Sequence, residues 1–154
     1  MPVALPRRVV SGGQTGVDRA ALDVAIALGI PHGGWCPRGR RAEDGGVPAH
    51  YALVEHASPD YAARTEANVA DADATLILAR GALAGGTALT RDVARRLRKP
   101  FLIVDLDARP DPKTVREWLA DHGVAVLYVA VPRESQRPGI GYETRVFLRA
   151  VLAG

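Results

Sequence analysis

The sequence predicts an α/β fold with a mostly parallel sheet of about five strands. Three observations carry this prediction. Short β-branched or aliphatic runs alternate with longer segments of helical period, and Gly or Pro punctuates each change. The apolar runs are continuous rather than alternating, as strands buried on both faces require. The chain has 154 residues, 47% hydrophobic and 24% charged, which suits one domain with a proper core. Residues 1–154 are therefore expected to form a single domain.

Residues 7–12 (RRVVSG) read as the first strand, and 17–28 as a helix with Leu22, Ile26 and the alanines on one face and Gly29 as terminator. Residues 32–37 form a short second strand. From 38 to 58 no period is sustained, and within this long, charged, Gly-rich segment the loop 38–46 is expected to cover a pocket. Ser58 is the expected N-cap, with Pro59 at the first helical position, of a helix through Ala72. It runs against the buried strand 74–79 (ATLILA). Residues 80–87 (RGALAGGT) lead into a helix through Leu97, Lys99 and Pro100 stop it, and 101–106 (FLIVDL) is the next strand. Asp111 and Pro112 open a helix to His122 that Gly123 caps. Residues 124–129 are the last strand and 141–152 the closing helix.

Parallel strands need right-handed crossovers, so helices should cover both faces of a Rossmann-like or flavodoxin-like sheet, a three-layer arrangement. Ligands of such sheets sit beyond the carboxyl ends of the strands, where strand order reverses. For the common order 2-1-3-4-5, that point lies between the first and third strands. Loops 12–16 and 80–87 should then face one another.

Gly12, Gly13 and Gly16 permit positive φ and close backbone approach, at the start of a helix whose dipole favours an anion. Thr15 offers a hydroxyl and Gln14 an amide. Asp18, in the first turn, either caps the helix or touches a ligand. Gly85, Gly86 and Thr87 repeat the arrangement at a second helix, so the pair reads as phosphate-binding loops for a phosphorylated or nucleotide ligand, against plain tight turns. Gly13→Glu is expected to fill this cradle with like charge and leave the fold intact. Arg133, after the last strand, is either a phosphate contact or a solvated surface residue. In the long loop Arg38, Arg40, Glu43 and Asp44 stand over the pocket. Arg64 lies on the helix before the third strand, beside Glu66, and reads either as part of a solvated helix face with an ion pair or as a ligand contact.

Other chemistry is sparse. There is no Walker loop and no strict GxGxxG, Ser11 is not in a GxSxG elbow, and the four histidines are dispersed. Cys36, the single cysteine, excludes an internal disulfide and reads as a small buried residue. No metal-ligand spacing is present, so no protein-bound metal is expected. The net charge of +3 comes mostly from arginines scattered among acids, and a nucleic-acid partner is not expected. No apolar run approaches the ~18 residues of a membrane span, and Pro2 and Pro6 interrupt the start of the chain. A cytoplasmic protein is expected.

Five blocks, SGGQTGVDRAALD (11–23), GWCPRGRRAEDG (34–45), YAARTEANVADADATLIL (61–78), GGTALT (85–90) and VAVPRES (129–135), closely resemble the molybdenum carrier family. The match is collinear over nearly the whole chain. That family is related to the molybdenum cofactor carrier and to lysine-decarboxylase-like phosphoribohydrolases. The resemblance implies a cytoplasmic homo-oligomer, dimer or tetramer, whose pocket holds a phosphorylated or nucleotide-like ligand, with molybdenum cofactor (molybdopterin) as the named candidate. The matching residues are Gly12, Gly13, Gln14, Thr15, Gly16 and Asp18, then Arg38, Gly39, Arg40, Glu43 and Asp44. Arg64, Thr65 and Asn68 on the helix, Gly85, Gly86 and Thr87 in the second loop, and Pro132 with Arg133 complete the match.

Two departures stand out. Tyr128 and Val131 bring bulk near the last strand, where a ligand would approach the backbone. The phosphoribohydrolase turn PGGxGTxxE ends in a catalytic Glu, whereas Thr90 stands at that spacing here. A non-catalytic carrier is thus the first expectation. A nucleoside-monophosphate hydrolase using Glu43, Asp44 or Glu66, or a nucleotide sensor, is the alternative.

Overall fold

A computed structural model describes residues 6–83 and 85–153; Pro2 in the N-terminal reading and Ala84 in the second glycine loop lie outside the described residues. The elements are β1 (Arg8–Val10), α1 (Val17–Ala27), β2 (His32–Gly33), β3 (Trp35–Cys36), β4 (Val54–Glu55), α2 (Tyr61–Asp71), β5 (Ala74–Ala79), α3 (Gly86–Arg96), β6 (Phe101–Asp105), α4 (Pro112–Asp121), β7 (Val126–Ala130) and α5 (Ile140–Leu152). Five strands pair in parallel in the order β2-β1-β7-β5-β6. The predicted α/β, Rossmann-like class is the one observed.

The strand order corrects the expected 2-1-3-4-5. The last strand, β7, sits in the middle, with its Leu127 opposite both Val9 of β1 and Ala74 of β5. Numbered from β7 onward through β1, β2, β5 and β6, the sheet reads 3-2-1-4-5, the order of dinucleotide-binding sheets. The reversal point therefore falls between β7 and β5, and the loop after β7 lies between the two glycine loops.

Alternation along the central strands divides the core. Leu76, Leu78, Leu127 and Val129 face α1, α4 and α5, while Ile77, Tyr128 and Ala130 face α2 and α3. All six residues of β5 are buried, as a strand covered on both faces demands. Tyr128 and Val131 belong to this α2-side core, 0% and 3% exposed, so their bulk is spent inside the protein rather than near a ligand.

The predicted strand 32–37 is split. Gly34 adopts φ 125 and its Cα lies so close to Ser11 that a Cβ would come within 2.2 Å of the Ser11 carbonyl. β2 stays in the main sheet while β3 pairs with β4 in a second, two-stranded parallel sheet. Much of the long loop is anchored. Cys36, Val47 and Tyr51 pack on Leu22 of α1, and the Arg40 guanidinium donates to the carbonyls of Pro48 (2.7 Å), Tyr51 (3.0 Å), Val47 (3.2 Å) and Leu53 (3.4 Å). α2 begins at Tyr61 with Asp60 as N-cap, not at Ser58, whose hydroxyl instead accepts from the Asp60 amide at 3.0 Å. Asp111 caps α4 as expected, accepting from the Lys113 amide at 2.9 Å.

Candidate functional site

α1, α3 and α5 follow β1, β5 and β7 and so begin at the carboxyl edge of the sheet. Two of these helix starts hold carboxylates of the chain itself. At α1, Asp18 is 1% exposed and turns inward, its Oδ2 accepting from the Gln14 amide at 3.3 Å. The first amide of α1, at Val17, donates to the Pro132 carbonyl at 3.2 Å. At α5, Glu134 accepts from the amides of Gly139 (2.5 Å) and Gly141 (3.0 Å). At α3 the N-cap is Gly85, φ 51, and, as at α1, no side chain caps the first amides among the described residues.

The glycines of loop 12–16 are closely packed on their Cα side. A Cβ at Gly12 would lie 1.5 Å from Arg64 Nη1, at Gly13 2.7 Å from Leu53 Cδ1, and at Gly16 2.5 Å from the Pro132 carbonyl. The second glycine loop is the open one. A Cβ at Gly85 meets nothing within 4 Å among the described residues, and one at Gly86 meets the Tyr61 ring at 3.4 Å.

Around α3 lie two adjoining hollows. One, about 390 Å³, is lined by Arg80, Gly85, Thr87, Pro132, Gln136 and Arg137. The other, about 360 Å³, is lined by Gln14, Tyr61, Gly86, Leu89, Arg133 and Gln136. They share Gln136 and together make a polar cleft at the reversal point between β5 and β7, of the volume of small-molecule sites. Gln14 is fixed there by donating to the Arg41 carbonyl at 2.9 Å.

Arg64 does not reach the cleft. It is 0% exposed, stacks 4.3 Å from the Tyr61 ring centroid and lies 3.8 Å from Asp18. None of its three guanidinium nitrogens has a hydrogen-bond partner among the described residues, nor has the Tyr128 hydroxyl. Burial pulls the guanidinium toward losing its proton, but Tyr128, Asp18 and Tyr61 outweigh that and hold it charged. Its charge acts from beneath the first glycine loop. Asn68 is likewise structural, clamping the Trp35 backbone through its amide at 2.8 and 3.0 Å.

The acids of the long loop are also engaged. Asp44 receives both terminal nitrogens of Arg19, one of them at 2.8 Å, and this partner holds its carboxyl below the usual range. Glu43 accepts from Ser135 and Thr15, and these bonds lower its pKa. Burial pushes the Cys36 thiol up, the state of an inert core cysteine.

Of the sequence-predicted residues, the structure thus brings Gln14, Gly85, Gly86, Thr87 and Arg133 together at the cleft, with Thr15 and Glu43 beside Arg133. Gly12, Gly13, Gly16, Asp18, Arg40 and Arg64 support it from inside. Asp44 ties the loop to α1, and Arg38 is exposed in a 3-10 turn. Sequence reasoning missed Tyr61, Arg80, Ser135, Gln136 and Arg137. The signal was available for most of these, since RESQR directly follows a strand end.

Gly13→Glu is therefore expected to behave differently from the sequence expectation. Gly13 has φ +77 and faces Leu53 and Val47, so a charged side chain there enters an apolar cluster from a strained backbone. A loss of about 3 kcal/mol or more in a urea titration is expected; unchanged stability would show that the loop re-forms with Gly13 turned outward.

A parallel sheet of 3-2-1-4-5 order with a glycine- and arginine-rimmed cleft at its reversal point defines a Rossmann-like α/β protein in permuted form. The chain belongs to the Circularly permutated YpsA SLOG family, whose family model matches residues 9–152. It is also similar to a protein of known crystal structure from Syntrophus aciditrophicus SB, described as "Putative molybdenum carrier protein", at 45% identity over 96% of each chain and a TM-score of 0.93. No curated protein is a significant match. Among the described residues, no three His, Cys, Asp or Glu side chains group as a metal site, and no helix is long and apolar enough to cross a membrane.

Proposed function

We propose that this chain is a non-catalytic carrier of a phosphorylated small molecule with a planar ring system, a pterin or a nucleotide, held in the cleft between β5 and β7. The observation that carries the reading is the start of α3. Among the described residues its first amides carry no capping group, whereas Glu134 takes those of α5 and the Pro132 carbonyl takes the first of α1, and they stand beside Arg133, Arg137 and the Tyr61 ring. Helix amides and arginines favour phosphate, and Tyr61 offers a stacking face.

The description of the similar protein names molybdenum as its cargo, and molybdenum cofactor is the form of it considered for this cleft. The donor set fits its organic part: amides and arginines suit a phosphate, and Gln14 and Gln136 suit the edge of a pterin. No thiolate faces the cleft, because Cys36 is buried against α1, so the metal would travel on its own organic ligand.

Hydrolysis of a nucleotide receives no support from the geometry. Thr90 spends its hydroxyl on the Gly86 carbonyl at 2.8 Å, Glu66 pairs with Arg96 at 3.0 Å, and Glu43 and Asp44 are bonded within the protein. The single family match over 9–152 favours one domain, and exposed Tyr142 and Val146 on α5 favour a homo-oligomer.

Native mass spectrometry of gently purified protein is the test. Release of a pterin or nucleotide on denaturation, at one per chain, is the expected result, and its mass states whether molybdenum accompanies it. A chain that comes away empty and takes up neither adenosine monophosphate nor a pterin in a thermal-shift screen would overturn the reading.

A further inference from the structure

Four donors from distant parts of the chain converge on the Glu43 carboxylate. The Thr15 hydroxyl donates to Oε2 at 2.6 Å and the Ser135 amide to the same oxygen at 3.1 Å. The Ser135 hydroxyl donates to Oε1 at 2.5 Å, and Arg133 Nη1 lies 3.4 Å from it. Thr15 is itself oriented by accepting from the Glu134 amide at 3.1 Å. One backbone N–H, two hydroxyls and a guanidinium are the donor set of an oxyanion site.

We infer that this seat is a binding site for a doubly charged tetrahedral oxyanion, a phosphate group or molybdate, and that Glu43 is its internal placeholder. The inference rests on the cleft being a ligand site, since Arg133 belongs to both. A carboxylate offers one charge and two oxygens to donors that can serve more. A dianion with four oxygens competes for the same four groups. Glu43 can leave without unfolding its loop, because the Asp44–Arg19 pair and the Arg40 bonds anchor that loop independently. The carboxylate of Glu134, next to Ser135 in sequence, is turned to the start of α5 and does not share the seat. While the site is free of ligand, Glu43 keeps its donors from being stranded.

The test is calorimetric titration of the full chain with inorganic phosphate, and separately with molybdate. Glu43→Ala vacates the seat and is expected to tighten phosphate binding about tenfold, the ratio that about 1.4 kcal/mol of lost competition produces. Glu43→Gln keeps the shape and is expected to gain less. Adding Ser135→Ala should abolish the gain. Tighter binding of both anions supports a shared oxyanion seat, and of one alone identifies its source. Unchanged affinity for both anions in a folded Glu43→Ala protein, or a gain that survives Ser135→Ala, overturns the inference. The cleft reading is scored separately by adenosine monophosphate. Its binding with no Glu43 effect sinks the placeholder alone, whereas an oxyanion gain without any nucleotide or pterin binding sinks the cleft reading and leaves the seat.

Discussion

Replacing Asp18 by alanine is expected to destabilise the protein by about 3–5 kcal/mol, the cost of removing one partner of a buried ion pair. The carboxylate and the Arg64 guanidinium lie 3.8 Å apart with side chains 2% and 0% exposed. No Arg64 nitrogen has another acceptor among the described residues. The Tyr61 ring offsets part of that charge, but alanine would strand the rest and also release the Gln14 amide. Burial is the larger influence on Asp18 and raises its pKa, with Arg64 pulling the other way. A carboxyl whose folded pKa lies above its unfolded value binds its proton more tightly when folded. Its contribution to stability is then complete below the ordinary value of 3.8 and is lost as pH rises through the raised folded value. Wild type should show that decline, and Asp18→Asn should lack it. Asp18→Leu combined with Arg64→Met should recover most of the loss, because an apolar pair avoids the desolvation of both charges. Urea midpoints measure all of these. A single Asp18→Ala variant within about 0.5 kcal/mol of wild type would show that Arg64 finds another acceptor and that the pair does not support the loop.

Local signals made the helices and central strands legible, because ATLILA and the Asp-Pro start of α4 each carry their own evidence. Strand order was not legible. FLIVD of β6 is as apolar as VLYVA of β7, yet one is an edge strand and the other central. The difference comes from which helices cover each strand, which only the assembled chain decides. The glycines show the same limit. GGQTG and AGGT both read as open loops, but Arg64, Leu53 and the Pro132 carbonyl fill the space beside the first while the second stays open. A glycine permits close approach without saying by what. Acids are ambiguous for a related reason: Asp18, Glu43 and Glu134 all lie near the predicted pocket in sequence, and only the fold shows that each is already bonded to the protein's own donors.

That distinction makes adjacent glycines of α3 the sharpest probe of the cleft. Gly86→Leu is expected to weaken binding of adenosine monophosphate more than about hundredfold, or about 2.7 kcal/mol, while leaving the melting temperature unchanged or higher. Gly86 is inside the helix and is absent from the positive-φ glycines, so a side chain there removes about 0.5–1 kcal/mol of glycine's entropic cost. Its Cβ would already touch the Tyr61 ring at 3.4 Å, and the rest of a leucine must extend along the hollow that Tyr61, Gln14 and Arg133 enclose. Gly85→Ala should do the reverse. Its φ of +51 makes any Cβ strained, by about 1 kcal/mol, but no described atom lies within 4 Å of that Cβ, so affinity should stay near wild type while stability falls. Calorimetry and thermal melting on the two variants thus separate occupancy of the cleft from integrity of the fold. If Gly86→Leu binds the nucleotide as wild type does and melts normally, the ring cannot lie between Tyr61 and α3. The ligand would then have to sit toward Arg80 and Arg137, the side of the cleft that this leucine leaves open.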